Sequence, residues 1–234
     1  MAHSRSLLPR DALTGSQLTA ALAGIGIGFA AVPDLSANIE DVLFFASVEA
    51  VDREDFRVLS TLVSWFDVHH PWVNADRLIR VVEALGSERV KALWAALATW
   101  HDEDRRFARL MAASREPRID LLGVGTDFQI ARHGEDPRFC NSPIRIPPNV
   151  LRSRPEDILS PSELAARHPG YRWRVVIGPT YRADAWAELS QNPDLPAAEL
   201  ARRAYASFAT AWLVRRDFQI VRQSSRSDGQ SATA

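Results

Sequence analysis

The chain of 234 residues has a single cysteine, Cys140, and among its 28 basic side chains a single lysine, Lys91. One cysteine excludes an intramolecular disulfide framework and any zinc cluster built on cysteine pairs, and it points to a reducing, cytoplasmic setting. A net charge of -1 excludes the global positive field of a dedicated nucleic-acid coat, so any DNA contact must be a local patch. The preference for arginine suits bidentate pairing with carboxylates and phosphates, although a GC-rich coding sequence produces the same bias by itself. Long apolar runs are also missing. Leu18 to Val32, "LTAALAGIGIGFAAV", follows Arg5 and Arg10 as the apolar part of a signal peptide would. Asp11 and the polar "TGSQ" dilute that pattern, and the run is shorter and richer in glycine than a membrane span of roughly 20 apolar residues. It reads as an N-terminal element packed on the body, with no membrane partner expected.

Enzyme signatures are equally scarce. The "GIGIG" of Gly24 to Gly28 lacks the G-x-G-x-x-G spacing and follows a helix-like segment instead of a strand, so it reads as a helix ending in glycines. There is no G-x-S-x-G, no phosphate loop and no recognisable partner for Cys140. Two histidine-bearing stretches remain. "DVHH" carries Asp67, His69 and His70, and "WHDED" carries His101, Asp102, Glu103 and Asp104. In a helical protein, these with a later aspartate such as Asp120 resemble the metal-dependent HD phosphohydrolase pattern. Against that, Asp102 to Asp104 serve a helix N-terminus through the dipole alone, and Pro71 puts His69 and His70 in a loop. The expectation is that His101 lies apart from the histidine pair, with no metal, no cofactor and no catalytic residue.

What the chain does contain is helix signal. From Asn38, segments with apolar residues at three- and four-residue spacing follow one another, opened by Ser36 or Asn38, then by Asp52, Asn74 and Ser87 as caps, and interrupted at Gly86. Short separations imply antiparallel neighbours with the tryptophans in the core. Residues 115–161 hold seven prolines and short alternating stretches. "RIDLLGV" and "DFQIAR" are expected to pair as a hairpin around Gly123 to Thr126, and "YRWRVVIG", Tyr171 to Gly178, to form a strand. Three helical segments then follow in about forty residues. The predicted fold is mainly α, of the α+β kind. It comprises an arm with a short helix (1–37), a helical bundle (38–114), an irregular strand-containing connector (115–180), a tri-helical unit (181–223) and a disordered tail (224–234).

The last unit carries the functional expectation. In "ELARRAYASFATAWLVRRDF", Leu200, Ala201 and Ala204 supply small and apolar residues on one helix, and Ala206, Ala211 and Val214 the inner positions of the next. Over these residues the chain resembles the helix-turn-helix DNA-binding superfamily, with Tyr205 where that family favours glycine. A helical wheel places Val214, Phe218 and Val221 inward with Ala211, and Ala209, Leu213, Arg216 and Ile220 outward. The resemblance implies double-stranded DNA as the partner, with Ser207, Thr210 and Arg216 toward bases or phosphates. Arg182, Arg202 and Arg203, with Arg172 and Arg174, would then clamp the backbone. The charge supports this side of the chain: up to Ser114 there are 11 basic and 15 acidic residues, and from Arg115 onward 17 and 14. The alternative is a non-catalytic adaptor or antitoxin-like protein that binds a protein partner, or its own copy, through Leu213 and Ile220. A helix-turn-helix reading of residues 73–97 is disfavoured by their apolar content and acidic surroundings.

Overall fold

Short polar side chains start the helices, because the first turn of any helix leaves backbone N–H groups without partners. Asn38 accepts a hydrogen bond from the Asp41 amide, Asn74 from that of Arg77, and Ser87 from that of Val90. The cap of the second long helix is Asp55, which accepts from the Arg57 and Val58 amides, and not Asp52, which ends the helix before it. In this computed structural model, residues 8–9, 11–112 and 117–231 are described, with side chains as far as residue 224. The N-terminal arginines Arg5 and Arg10 lie outside them.

The described residues are mainly helical, with twelve α-helices and one two-strand ladder. The elements run α1 (Gly15–Gly24), α2 (Ile39–Asp52), α3 (Phe56–His69), α4 (Ala75–Leu85), α5 (Glu88–Trp100), α6 (Ala108–Ala112), β1 (Ile119–Asp120) and α7 (Thr126–His133). They continue with β2 (Ile144–Arg145), α8 (Pro161–Arg167), α9 (Pro169–Ile177), α10 (Tyr181–Gln191), α11 (Ala197–Arg203) and α12 (Phe208–Ser231). No helix among them is long and apolar enough to cross a membrane. The chain divides into two units, Met1–Leu164 and Ala165–Ala234.

In the first unit α2 packs on α1, α3, α4 and α5. Its core holds Trp65 and Trp94, both fully buried, and each indole N–H finds an acceptor: the Ile25 carbonyl at 2.8 Å and the Ser47 hydroxyl at 3.0 Å. Residues 73–97 are part of this core through Leu78, Val82, Val90, Leu93 and Leu97. The glycines of the N-terminal run have a packing role. A Cβ on Gly24 would stand 1.9 Å from the Asp34 carbonyl oxygen, so only glycine lets the two backbones meet. One arginine, Arg77, is fully buried on α4. It pairs with Asp41 of α2, and its Nε donates to the Asn38 side chain at 3.2 Å.

Several expectations in the middle of the chain need correction. β1 pairs in parallel with β2, Ile119 opposite Ile144, and "DFQIAR" belongs to α7, so the hairpin around Gly123 does not form. Tyr171 to Gly178 is not a strand. Residues 169–177 form α9, with Pro169 at its first position and His168 as a cap accepting from the Tyr171 amide at 3.0 Å. At the C-terminal end α12 runs on to Ser231, past residue 224, and residues 232–234 lie outside the described part.

The second unit has a small core of Ala185, Leu189, Leu200, Ala204, Ala206, Ala211 and Val214, flanked by Tyr181, Trp186, Leu195, Ala201 and Phe218. Alanines make up more than half of the fully buried set, so α10, α11 and α12 can approach closely. Here too a buried arginine is met by an aspartate: Arg174 of α9 donates to Asp184 of α10 at 2.8 Å.

Breaking a buried pair leaves the other charge without compensation, at a cost of roughly 3–5 kcal/mol. Asp41→Ala should therefore lower the unfolding free energy by about that much. Asp76→Ala, which removes an exposed partner of Arg80, should cost no more than about 1 kcal/mol. Urea titrations of the two variants test the contrast, and equal losses would contradict it.

Candidate functional site

Two places bring chemistry-bearing residues together. The first is the corner between α11 and α12. Tyr205 adopts a left-handed backbone with φ of 51°, the conformation that the glycine of a helix-turn-helix supplies without strain. The chain closes around it as a helix C-cap does: the Ala204 amide donates to the Leu200 carbonyl at 3.0 Å, and the Ala206 amide reaches back to Ala201 at 3.0 Å. Ser207 then caps α12, its hydroxyl accepting from the Thr210 amide at 2.8 Å and lying 2.7 Å from the Thr210 hydroxyl. Ser207 and Thr210 are half-buried and satisfy each other.

The outward face of α12 exposes Ala209, Leu213, Arg216 and Ile220. Phe208 and Trp212 join them at about half exposure, 50% and 51%. Inward, Ala211 and Val214 are fully buried and Phe218 packs edge-on against Trp186, 5.3 Å between centroids. Val221, placed inward by the wheel, is exposed.

Four of the six arginines expected at the DNA, Arg182, Arg202, Arg203 and Arg216, already have carboxylate partners. Arg202 and Arg203 both hold Glu199, with Nε donors at 2.6 and 2.8 Å, and Arg203 also lies 3.6 Å from Glu188. Their hydrogen bonds keep the Glu199 carboxyl well ionised, its pKa down at about 2. Arg216 and Arg182 share Asp217 at 2.9 and 3.1 Å, and these bonds also lower the Asp217 pKa. Arg216 lies 5.8 Å over the Trp212 ring as well. Arg172 is exposed, but Arg174 is consumed in the core, so the expected arginine pair on a strand does not exist. The acidic partners were readable in part: Glu199 stands three and four residues before its arginines, the spacing of helical ion pairs.

The second place joins the ends of α3 and α5. His70 and His101 were expected apart, yet their rings stack 4.4 Å between centroids with a 30° tilt. Glu103 lies with them, one ligand atom from each of the three falling within 4.8 Å of the others. Asp67 Oδ1 is 3.6 Å from His101 Nε2, and Glu103 Oε1 is 3.6 Å from His101 Nδ1. Burial, then the charge of His70, holds the His101 pKa below its ordinary value. The HD-type set is not assembled. His69 turns into the core, 3.0 Å from the Leu159 carbonyl and stacked on Trp65 at 4.6 Å. Asp102 is exposed outside the cluster, and Asp120 pairs with Arg145 across the ladder at 3.1 Å.

Compared with protein-family models, curated proteins and solved structures, the chain matches none of them.

Two measurements follow from these geometries. Tyr205→Gly should be more stable than Tyr205→Ala by about 1 kcal/mol, because only glycine enters the left-handed region freely. Equal stability would mean that the turn is not left-handed. His69 supplies a pH dependence. Burial pushes its pKa down to about 4 from an unfolded value near 6.5, so the folded state binds the proton less well than the unfolded chain. Its contribution is present above about pH 6.5 and is lost as the pH falls toward 4, by up to roughly 3 kcal/mol at 1.36 kcal/mol per unit. His69→Gln should lose part of that dependence. Wild type and variant following parallel stability–pH curves would refute the assignment.

Proposed function

We propose that the C-terminal unit is a helix-turn-helix module that holds duplex DNA, with α12 as the helix presented to the groove. The observation that carries this reading is the turn. A residue is held in the left-handed region at the position where the helix-turn-helix superfamily favours glycine, and apolar residues are buried on both sides of it at Leu200, Ala204, Ala206, Ala211 and Val214. Charge supports it: residues 165–234 contain ten arginines and six acidic residues, a net +4 in a chain of net -1. The ion pairs of Arg182, Arg202, Arg203 and Arg216 lie at the surface, where each is worth about 0–1 kcal/mol, so exchanging a carboxylate for a phosphate costs little. Arg202 and Arg203 then hold the backbone and Arg216 reaches toward bases.

One observation favours a second reading. Phe208, Trp212, Leu213 and Ile220 give α12 an exposed face that is more apolar than phosphate or base contact requires, and such a face suits a protein partner or a second copy.

Salt-dependent gel-shift or anisotropy titrations separate the two. On the DNA reading, replacing Arg202 and Arg203 together with alanine weakens binding to all sequences alike and flattens the log–log salt dependence by up to about two units, at roughly 0.9 counterion per phosphate. Arg216→Ala instead narrows the gap between specific and random duplexes, by about 1–3 kcal/mol if it reads a guanine. On the protein reading, Leu213→Asp or Ile220→Asp abolishes a complex that the arginine changes leave intact. No measurable affinity for any duplex at low salt would eliminate the DNA reading.

A further inference from the structure

We propose that Asp67, His70, His101 and Glu103 form a binding site for one divalent transition-metal ion of the zinc class. Three features of the cluster support it. The ligand atoms of His70, His101 and Glu103 already lie within 4.8 Å of one another, and two come from a helix end and two from the turn after another: Asp67 and His70 at the end of α3, His101 and Glu103 just after α5. A tetrahedral ion with bonds of about 2.0–2.1 Å needs ligand atoms roughly 3.4 Å apart; Asp67 Oδ1 already stands 3.6 Å from His101 Nε2, whereas Glu103 Oε1 faces Nδ1 at 3.6 Å and must swing to the Nε2 side of the ring, which its exposed side chain allows.

The second feature is an unsatisfied atom. His101 has a side chain only 7% exposed, and its Nε2 has no hydrogen-bond partner; the Asp67 carboxylate, at 3.6 Å, is beyond hydrogen-bond distance. A buried ring nitrogen without a partner costs free energy, which a bound ion would recover. The third is the setting of His70. Its Nδ1–H faces the Phe66 and Asp67 carbonyls at 3.2 and 3.3 Å, which leaves the Nε2 lone pair for the ion. Carbonyl acceptors of this kind orient metal-bound histidines generally. Arg106 fixes the same loop by donating to the His70 carbonyl at 3.0 Å, and its own charge is answered by Asp104.

The donor set selects the ion. Two imidazoles with one or two carboxylates suit zinc, cobalt, nickel or ferrous iron, whereas magnesium and calcium take oxygen ligands almost throughout. This site differs from the HD-type set in using Glu103 and Asp67 in place of Asp102 and Asp120.

The full chain, stripped of metal, should bind about one equivalent of zinc in equilibrium dialysis, develop visible cobalt bands of tetrahedral intensity, and unfold at a higher temperature with zinc than without. Glu103→Gln should weaken binding by roughly tenfold or more, as should His70→Gln, while Asp102→Asn should bind as wild type does. His101→Gln should abolish binding. Glu103 is exposed and does not risk the fold, so the test stands even if the His101 variant is unstable. No zinc or cobalt bound at millimolar free ion would overturn the site, and so would undiminished affinity in Glu103→Gln.

Discussion

A guanidinium removed from water must be met by a carboxylate or the fold does not close, and each unit of this protein contains one such point. In the first unit Arg77 is fully buried between α4 and α2, answered by Asp41 and Asn38, while the neighbouring Glu40 accepts the Asn74 amide that begins α4 at 2.8 Å. Helix start, helix pairing and charge compensation thus coincide on five residues. In the second, Arg174 and Asp184 lock α9 to α10, the base on which α11 and α12 stand. Apolar packing supplies most of the stability, but it is indifferent to register. A buried ion pair contributes little net energy and tolerates only one alignment, so here it serves to fix which helix face meets which.

That division explains what could be read in advance. Helices α2 to α5 were legible because cap and periodicity are local properties: Asn38, Asn74, Ser87 and Gly86 act as their residue types suggest. The one slip, Asp52 for Asp55, came from two aspartates three residues apart, and the chain reversal at Glu54, with φ of 53°, decides between them. Nonlocal pairing was not legible. β1 meets β2 some 25 positions away, Ile119 against Ile144, and no alternation within either stretch encodes that choice. α9 was misread for a different reason. "YRWRVVIG" satisfies a two-residue period and equally a helix whose two ends of one face are Tyr171 and Arg174, both buried. Pro169 and Gly170 looked like a turn, whereas Pro169 occupies a first helical turn where its missing amide costs nothing.

The two candidate sites differ in the same way. The corner between α11 and α12 is legible in twenty residues because its demands are sequential: small residues, a tight turn, apolar residues at fixed spacing. Tyr205 seemed a departure, yet the backbone takes the left-handed conformation regardless, held by the Ala206 amide and the burial on both sides. The histidine cluster is not sequential. Whether His70 and His101, thirty-one positions apart, face each other depends on where α3 and α5 end, and the packing of His101 edge-on against Phe66 and tilted against Trp100 sets that. The sequence singled out both stretches but expected them apart, and Asp102, beside His101 in the chain, turns to solvent.

The near-exclusive use of arginine has a consequence for any DNA contact, whatever its origin in coding bias. Fork-shaped guanidinium groups find carboxylates readily, and on this surface they have done so pairwise: Arg202 and Arg203 on Glu199, Arg182 and Arg216 on Asp217. Each trio carries a net single positive charge rather than two. Counterion release follows the net charge brought to the phosphates, so the four arginines should act together as at most about two unit charges, fewer with Glu188 also 3.6 Å from Arg203, and the salt dependence of the intact protein should be correspondingly shallow. The carboxylates also hold the guanidinium planes in place before a ligand arrives, which lowers the ordering cost of the contact. On the DNA reading the surface thus exchanges strength for preorganisation, and discrimination between duplexes is left to the outward face of α12, which exposes Trp212, Leu213 and Ile220 with Arg216.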